Sequence, residues 1–101
     1  MTRRNDNSTA VILAYWRHDR KFDTAADILF MWLCEQTFSY GYEEVAATRK
    51  DLSSAIGRRL TATTLAIKNL INLGVVARRP VAGGRGFLYR IDQEAVLNLS
   101  K

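Results

Sequence analysis

Thr61-Ala62-Thr63-Thr64-Leu65-Ala66-Ile67-Lys68-Asn69-Leu70-Ile71-Asn72-Leu73-Gly74 is the stretch that decides the fold. At about 100° per residue, Ala62, Thr63, Ala66, Ile67, Leu70 and Leu73 share one half of a helical wheel. Thr61, Thr64, Lys68 and Asn72 share the other half, with Leu65 at its edge. The first set is a core stripe. Thr61 is expected to cap a helix over about 62 to 73, and Gly74 to stop it. The outward set is short-chained, rich in hydrogen-bonding groups and free of acids, whereas an ordinary solvated face carries Glu, Gln and Lys. A face without carboxylates enters a DNA major groove without repelling phosphates. Thr and Asn bond base edges there, and Leu65 or a Thr methyl meets a thymine methyl.

On the N-terminal side, Thr48 opens a helix from Arg49 to about Ile56, with Leu52 and Ile56 on its inner face and Gly57 as its stop. Arg58-Arg59-Leu60 is a tight connection between the two helices. On the C-terminal side, Val75 to Arg79 and Phe87 to Ile91 flank a glycine-rich loop and read as a hairpin. Asp92 is placed to cap a last short helix from Glu94 to about Leu99.

Before this unit lies a helix from Thr24 to about Phe38, with Thr24 as cap and Asp23 and Asp27 favoured by the positive end of its dipole. Ala25, Ile28, Leu29 and Trp32 form its main stripe, and Phe30, Cys34 and Phe38 a second row on another face. A helix apolar on two faces is buried on two faces, and a second subunit is expected to cover one of them. Ser39-Tyr40-Gly41-Tyr42 ends this helix, and Val45 falls in a short strand. Residues 9 to 18 fit a short helix or a buried strand; helix is preferred, with Ser8 or Thr9 as its cap. Residues 1 to 7 are polar and expected to fray.

Charge is split by position. Arg49, Lys50, Arg58, Arg59, Lys68, Arg78, Arg79, Arg85 and Arg90 face one acid, Asp51, between residues 49 and 90. Up to Ala47 the balance is slightly acidic, which the net charge of +5 conceals. A field of one sign attracts a polyanion, and duplex nucleic acid is a dense line of negative charge. The start of the 49–56 helix, with Arg49 and Lys50, favours a phosphate. Arg58 and Arg59 sit in the turn beside the next helix, and Arg85 lies between glycines at the loop tip. Alternation puts Arg78 and Arg79 on opposite faces of the hairpin, so one of the two points at DNA; Arg79 is assigned to it.

Two helices joined by a short glycine-containing turn and followed by a hairpin make a known unit. From Ala47 to Ile91 the chain resembles the winged helix-turn-helix family. The matching residues are Thr48-Arg49-Lys50-Asp51-Leu52-Ser53-Ser54-Ala55-Ile56-Gly57, then Thr61 to Leu70. "LINLGVVARR" (70–79) resembles the passage from reading helix to wing, and "GGRGFLYRID" (83–92) the wing tip and its return strand. Arg58-Arg59-Leu60 departs from the family's usual turn, a small hydrophobic residue followed by Ser. The resemblance implies a mostly α domain with a small β-hairpin: a three-helix core plus wing over 24–91. An extra N-terminal helix lies in a dimerising extension (1–23), and a short C-terminal helix in 92–101.

It further implies a DNA-binding transcriptional regulator, expected to be a repressor, cytoplasmic and nucleoid-associated, of plasmid, phage or bacterial type. Thr61, Thr64, Leu65, Lys68 and Asn72 would read bases. Arg49, Lys50, Arg58, Arg59, Arg79 and Arg85 would hold backbone or minor groove. The partners expected are double-stranded DNA and a second copy of the chain, held through Ala10–Trp16 and the 24–38 helix. The alternatives are a winged-helix module of plasmid or phage replication or partition, and a protein-interaction module.

Other chemistries find little support. His18 is the only histidine and Cys34 the only cysteine, which excludes a histidine-built metal site and an internal disulfide. Gly83-Gly84-Arg85-Gly86 lacks the Lys-Ser/Thr of a phosphate loop. No nucleophile is spaced from a base, no cofactor fingerprint is present, and no enzyme or cofactor is expected. The longest apolar runs, Ala10 to Trp16 and Ile28 to Cys34, are too short to span a bilayer. Arg17, His18, Asp19 and Arg20 after the first of them speak against a signal peptide.

Overall fold

A computed structural model describes residues 8–18 and 24–99. The frayed segment expected over 1 to 7 and Asp23, expected at the positive end of the 24–38 helix dipole, lie outside them. The described chain is mostly helical, with one small antiparallel sheet. In order come α1 (Ser8–Arg17), α2 (Thr24–Cys34), a π-helical turn (Glu35–Ser39), β1 (Val45–Ala47), α3 (Arg49–Ile56) and α4 (Leu60–Leu73). β2 (Val76–Pro80), β3 (Phe87–Ile91) and α5 (Gln93–Leu97) follow.

α2 is the hub. It packs on α4, α3, α1 and β3, and this explains its two apolar faces. Leu29 and Leu33 are buried, and so are Phe30 and Cys34 of the second row. That row is covered from within the chain: the Tyr15 ring of α1 stacks on Phe30 with centroids 3.9 Å apart and planes 7° apart. The Tyr15 hydroxyl donates to Asp27 Oδ1 at 2.8 Å, giving the buried phenol a polar partner. Val11, Ala14 and Tyr15 of the apolar run of α1 are buried inside the monomer, while Ala10, Leu13 and Trp16 of the same run stay exposed.

Thr24 is the first residue of α2 rather than its cap. The predicted helix to Phe38 is α-helical only to Cys34 and then widens into a π turn. The Tyr40 N–H donates to the Glu35 carbonyl at 3.2 Å, closing the wider i to i+5 ring.

α3 begins with a complete capping box. Thr48 Oγ1 accepts from the Asp51 N–H at 3.0 Å, and Asp51 Oδ2 accepts from the Thr48 N–H at 3.0 Å. Gly57 closes the helix in the left-handed region (φ 67°), where a side chain would be strained. The Ser53 hydroxyl donates to the Arg58 carbonyl across the turn. α4 starts two residues earlier than expected. Leu60 is already helical, and Arg59 stands at the cap without a side-chain bond to the helix. Thr61 is therefore exposed within the first turn and caps nothing. Thr63 is fully buried among apolar neighbours; its hydroxyl donates to the Arg59 carbonyl at 2.9 Å. That bond removes the cost of burying it.

The expected hairpin is part of a three-stranded antiparallel sheet in the order β1-β3-β2. Arg78 pairs with Tyr89 and Arg79 with Leu88, while Val45 pairs with Tyr89 on the other side. Val76, Tyr89 and Ile91 thus bury one face against the helices. Gly86 fixes where the β2–β3 loop leaves the sheet. Its φ is 85°, and a Cβ there would stand 2.5 Å from the Ala47 carbonyl oxygen. Asp92 caps α5 through the Ala95 N–H at 3.1 Å, and that helix packs on α1.

Candidate nucleic-acid interface

α4 divides as its wheel requires. Thr63, Ala66, Ile67 and Leu70 are buried, while Thr61, Leu65, Lys68 and Asn72 are exposed. Leu65, 49% exposed, is a large apolar side chain held out in water between Thr61 and Lys68. Thr64 is half-buried because it faces α3: Arg49 Nη1 donates to its Oγ1 at 3.3 Å. The α3–α4 turn thus ties the first residue of one helix to the exposed side of the next.

Beside this face runs a groove of about 590 Å³ between α4 and the hairpin. Its cations are Arg49, Lys68 and Arg78, each from a different element. Its apolar part is Ile67, Ile71 and Phe87, and Thr64 and Asn72 complete it. None of these eight residues is acidic. The Arg78 guanidinium lies over the Phe87 ring, 4.1 Å from its centroid. Such stacking fixes the plane of the guanidinium and leaves its edge N–H groups available.

The hairpin separates its two arginines. Arg79, assigned to DNA on sequence, is on the opposite face of β2 and forms a two-pronged pair with Glu44. Nε donates to Oε2 at 2.9 Å, and Nη2 to Oε1 at 2.7 Å. It is the only ion pair among the described residues. The bond to Arg79 holds the Glu44 carboxyl below its ordinary range against an opposing desolvation, and the charges of Arg79 and Arg90 act in the same direction as the bond. Arg78, left out of that assignment, lines the groove. Alternation identified the choice between the two. Which of them faces the helices follows from Val76, buried two residues earlier on the same side of β2.

Lys50, Arg58, Arg59 and Arg85 are exposed, and none of the four lines the groove. Arg58 turns part of its guanidinium to the Gly57 carbonyl, Nη1 donating at 3.3 Å. Arg85 stands at the loop tip, set by Gly86 at the base. The structure therefore gathers Arg49, Thr64, Lys68 and Asn72 around one concavity and leaves the other predicted cations out of it.

A second depression is different in kind. Trp16, Ile28, Met31, Trp32 and Ala55 line a shallow apolar depression edged by Asp27 and Glu35. The Trp16 indole N–H donates to Met31 Sδ at 3.2 Å. Leu13 and Trp16 are 43% and 44% exposed, the large apolar side chains of the 10–16 segment that the fold does not bury. Cys34 is a buried free thiol whose pKa burial pushes up to about 12, so it is no nucleophile near neutral pH. Among the described residues no three of His, Cys, Asp and Glu converge as metal ligands, and no helix is long and apolar enough to cross a membrane. No family model and no curated protein matches this chain, which leaves its own residues as the guide to function.

Proposed function

We propose that this chain is a sequence-specific double-stranded DNA-binding transcriptional regulator of the winged helix-turn-helix kind, acting as a repressor. α4 enters the major groove, with Thr61, Leu65, Lys68 and Asn72 toward base edges and Thr64 holding Arg49 in place. The β2–β3 loop, with Arg85 at its tip, follows the backbone or minor groove. Arg49, Lys50, Arg58, Arg59 and Arg78 neutralise phosphates. The single observation that carries this reading is the acid-free exposed face of α4, flanked by cations from α3 and the hairpin that meet no carboxylate. A solvated face selected only for solubility has no reason to exclude acids over this length.

Two copies bind together through Leu13, Trp16 and the neighbouring Trp32 surface, an apolar area left outside the core. The protein then works in the cytoplasm at the nucleoid, on a bacterial, plasmid or phage operator. Selection from a random duplex pool tests this. Enrichment of a palindrome with half-sites about 10 bp apart is the expected result. Enrichment of nothing, or binding that does not weaken as salt rises, would remove duplex DNA as the partner.

A further inference from the structure

We infer that the groove between α4 and the hairpin is also a ligand site, for a small organic anion that carries a carboxylate on a flat apolar body. Three features of the groove converge on this chemistry. It has the size of a small-molecule site, about 590 Å³, and ligand pockets run from about 300 to 1,000 Å³. Its charge is of one sign, with Arg49, Lys68 and Arg78 and no acid. Its floor is apolar: Ile67 is almost fully buried, and Ile71 and Phe87 are half-buried. A bare phosphate satisfies the cations and leaves that floor wet. A neutral apolar molecule covers the floor and leaves three cations beside it partly desolvated. An anion with an apolar body meets both requirements.

Two of the three cations are set in advance. Arg49 is tethered to Thr64 at 3.3 Å, and Arg78 is stacked on Phe87 at 4.1 Å. The stacked guanidinium presents its in-plane N–H pair, the geometry that takes a carboxylate two-handed. Side chains already fixed lose little freedom on binding. Thr64, Lys68 and Asn72 belong both to the groove and to the exposed side of α4, so an occupied groove and a docked duplex compete for the same atoms. That regulatory consequence rests on the duplex-binding reading; the ligand site does not.

The test uses naphthalene-2-carboxylate as probe, with naphthalene-2-carboxamide and inorganic phosphate as its uncharged and its non-apolar counterparts. Binding to the full chain alone is followed by amide chemical shifts in α4 and the hairpin. The carboxylate is expected to saturate with a dissociation constant of about 1 mM or below. The two counterparts are expected to bind at least about tenfold more weakly. R78A and K68Q are each expected to weaken the carboxylate about tenfold, and R79A, whose partner is Glu44, to leave it unchanged. K68Q lies on an exposed helix face and keeps the test valid should R78A disturb the hairpin.

Equal binding of the amide or of phosphate, equal losses in R78A and R79A, or no saturation by about 10 mM would overturn the site. In a second step the carboxylate is titrated into a preformed duplex complex. Release of the duplex supports the regulatory role, and a stable ternary complex overturns it. A chain that takes the carboxylate but no duplex keeps the site and loses the DNA-binding reading.

Discussion

The two halves of this chain solve the same folding problem differently. In residues 8–38 stability comes from burying apolar area: Tyr15 stacks on Phe30 beneath α1, and the polar groups that go inside, such as the Tyr15 hydroxyl, carry their partner with them. Residues 48–91 bury a comparable apolar set, Leu52, Ala66, Leu70 and Tyr89 among it, and add local backbone devices. The Thr48–Asp51 box, the left-handed stop at Gly57 and the close approach of Gly86 to Ala47 place each element, and the arginines stay outside. Apolar burial is indifferent to what the outer surface carries. Backbone devices fix where that surface points. The difference teaches that the acidic half is built as a foundation and the basic half as an aimed surface.

The largest effect is expected from Tyr15→Ala, which removes a fully buried ring from the foundation. Loss of a buried aromatic costs about 3–5 kcal/mol, enough to unfold a large part of a domain this small. Urea unfolding would show it; a cost below about 1 kcal/mol would mean that α1 is an appendage rather than part of the core.

Gly86→Ala strikes the aimed half instead. An L-residue at φ 85° with its Cβ against the Ala47 carbonyl is expected to cost about 1–3 kcal/mol and to move the β2–β3 loop relative to α3. Amide shifts confined to β1, β3 and the start of α3 would sharpen the contrast between the halves. Unfolding as complete as that of Tyr15→Ala would erase it.

The smallest and most specific comparison is between neighbours on β2. Arg78→Ala is expected to weaken duplex binding about tenfold and to lower the salt slope by about 0.9, the loss of one phosphate contact. Arg79→Ala is expected to cost about threefold or less, because its charge is already met by Glu44. The sign of the pH dependence follows from that pair. The Glu44 carboxyl is held below its ordinary value of 4.5, so the pair is intact at neutral pH and opens as pH falls through the lowered value. Arg79 then gains a free charge, and the gap between the two variants narrows on acidification. Anisotropy titrations of both variants across pH at constant salt would test this, and a gap that widens on acidification would contradict the pairing.

Most of the elements were legible because each is announced locally. Thr48 before Arg49, Gly57 and Gly74 after apolar periodicity, and Asp92 before the last helix are signals a few residues long, and short-range steric and hydrogen-bond rules govern them. The start of α4 was misread because Thr61 is as good a cap as any from sequence. Once Thr63 is buried its hydroxyl bonds the Arg59 carbonyl, and the helix begins two residues early. The second apolar row of α2 suggested a partner subunit because nothing in residues 24–38 says where residue 15 will lie. The candidate site was legible as a set of residue types, and less so as a set of neighbours. Arg79 was chosen over Arg78 because alternation divides the pair without saying which side meets the helices.

The order of elements, the acid-free face of α4 and the basic charge of residues 49–90 are fixed by the chain itself, since periodicity, caps and charge depend on residues a turn or two apart. Three things belong to the tertiary structure alone: Tyr15 covering Phe30, Arg79 tied to Glu44 thirty-five residues away, and Arg49, Lys68 and Arg78 meeting over one apolar floor. Each joins side chains from separate elements, and only packing of the whole core sets the distance between them.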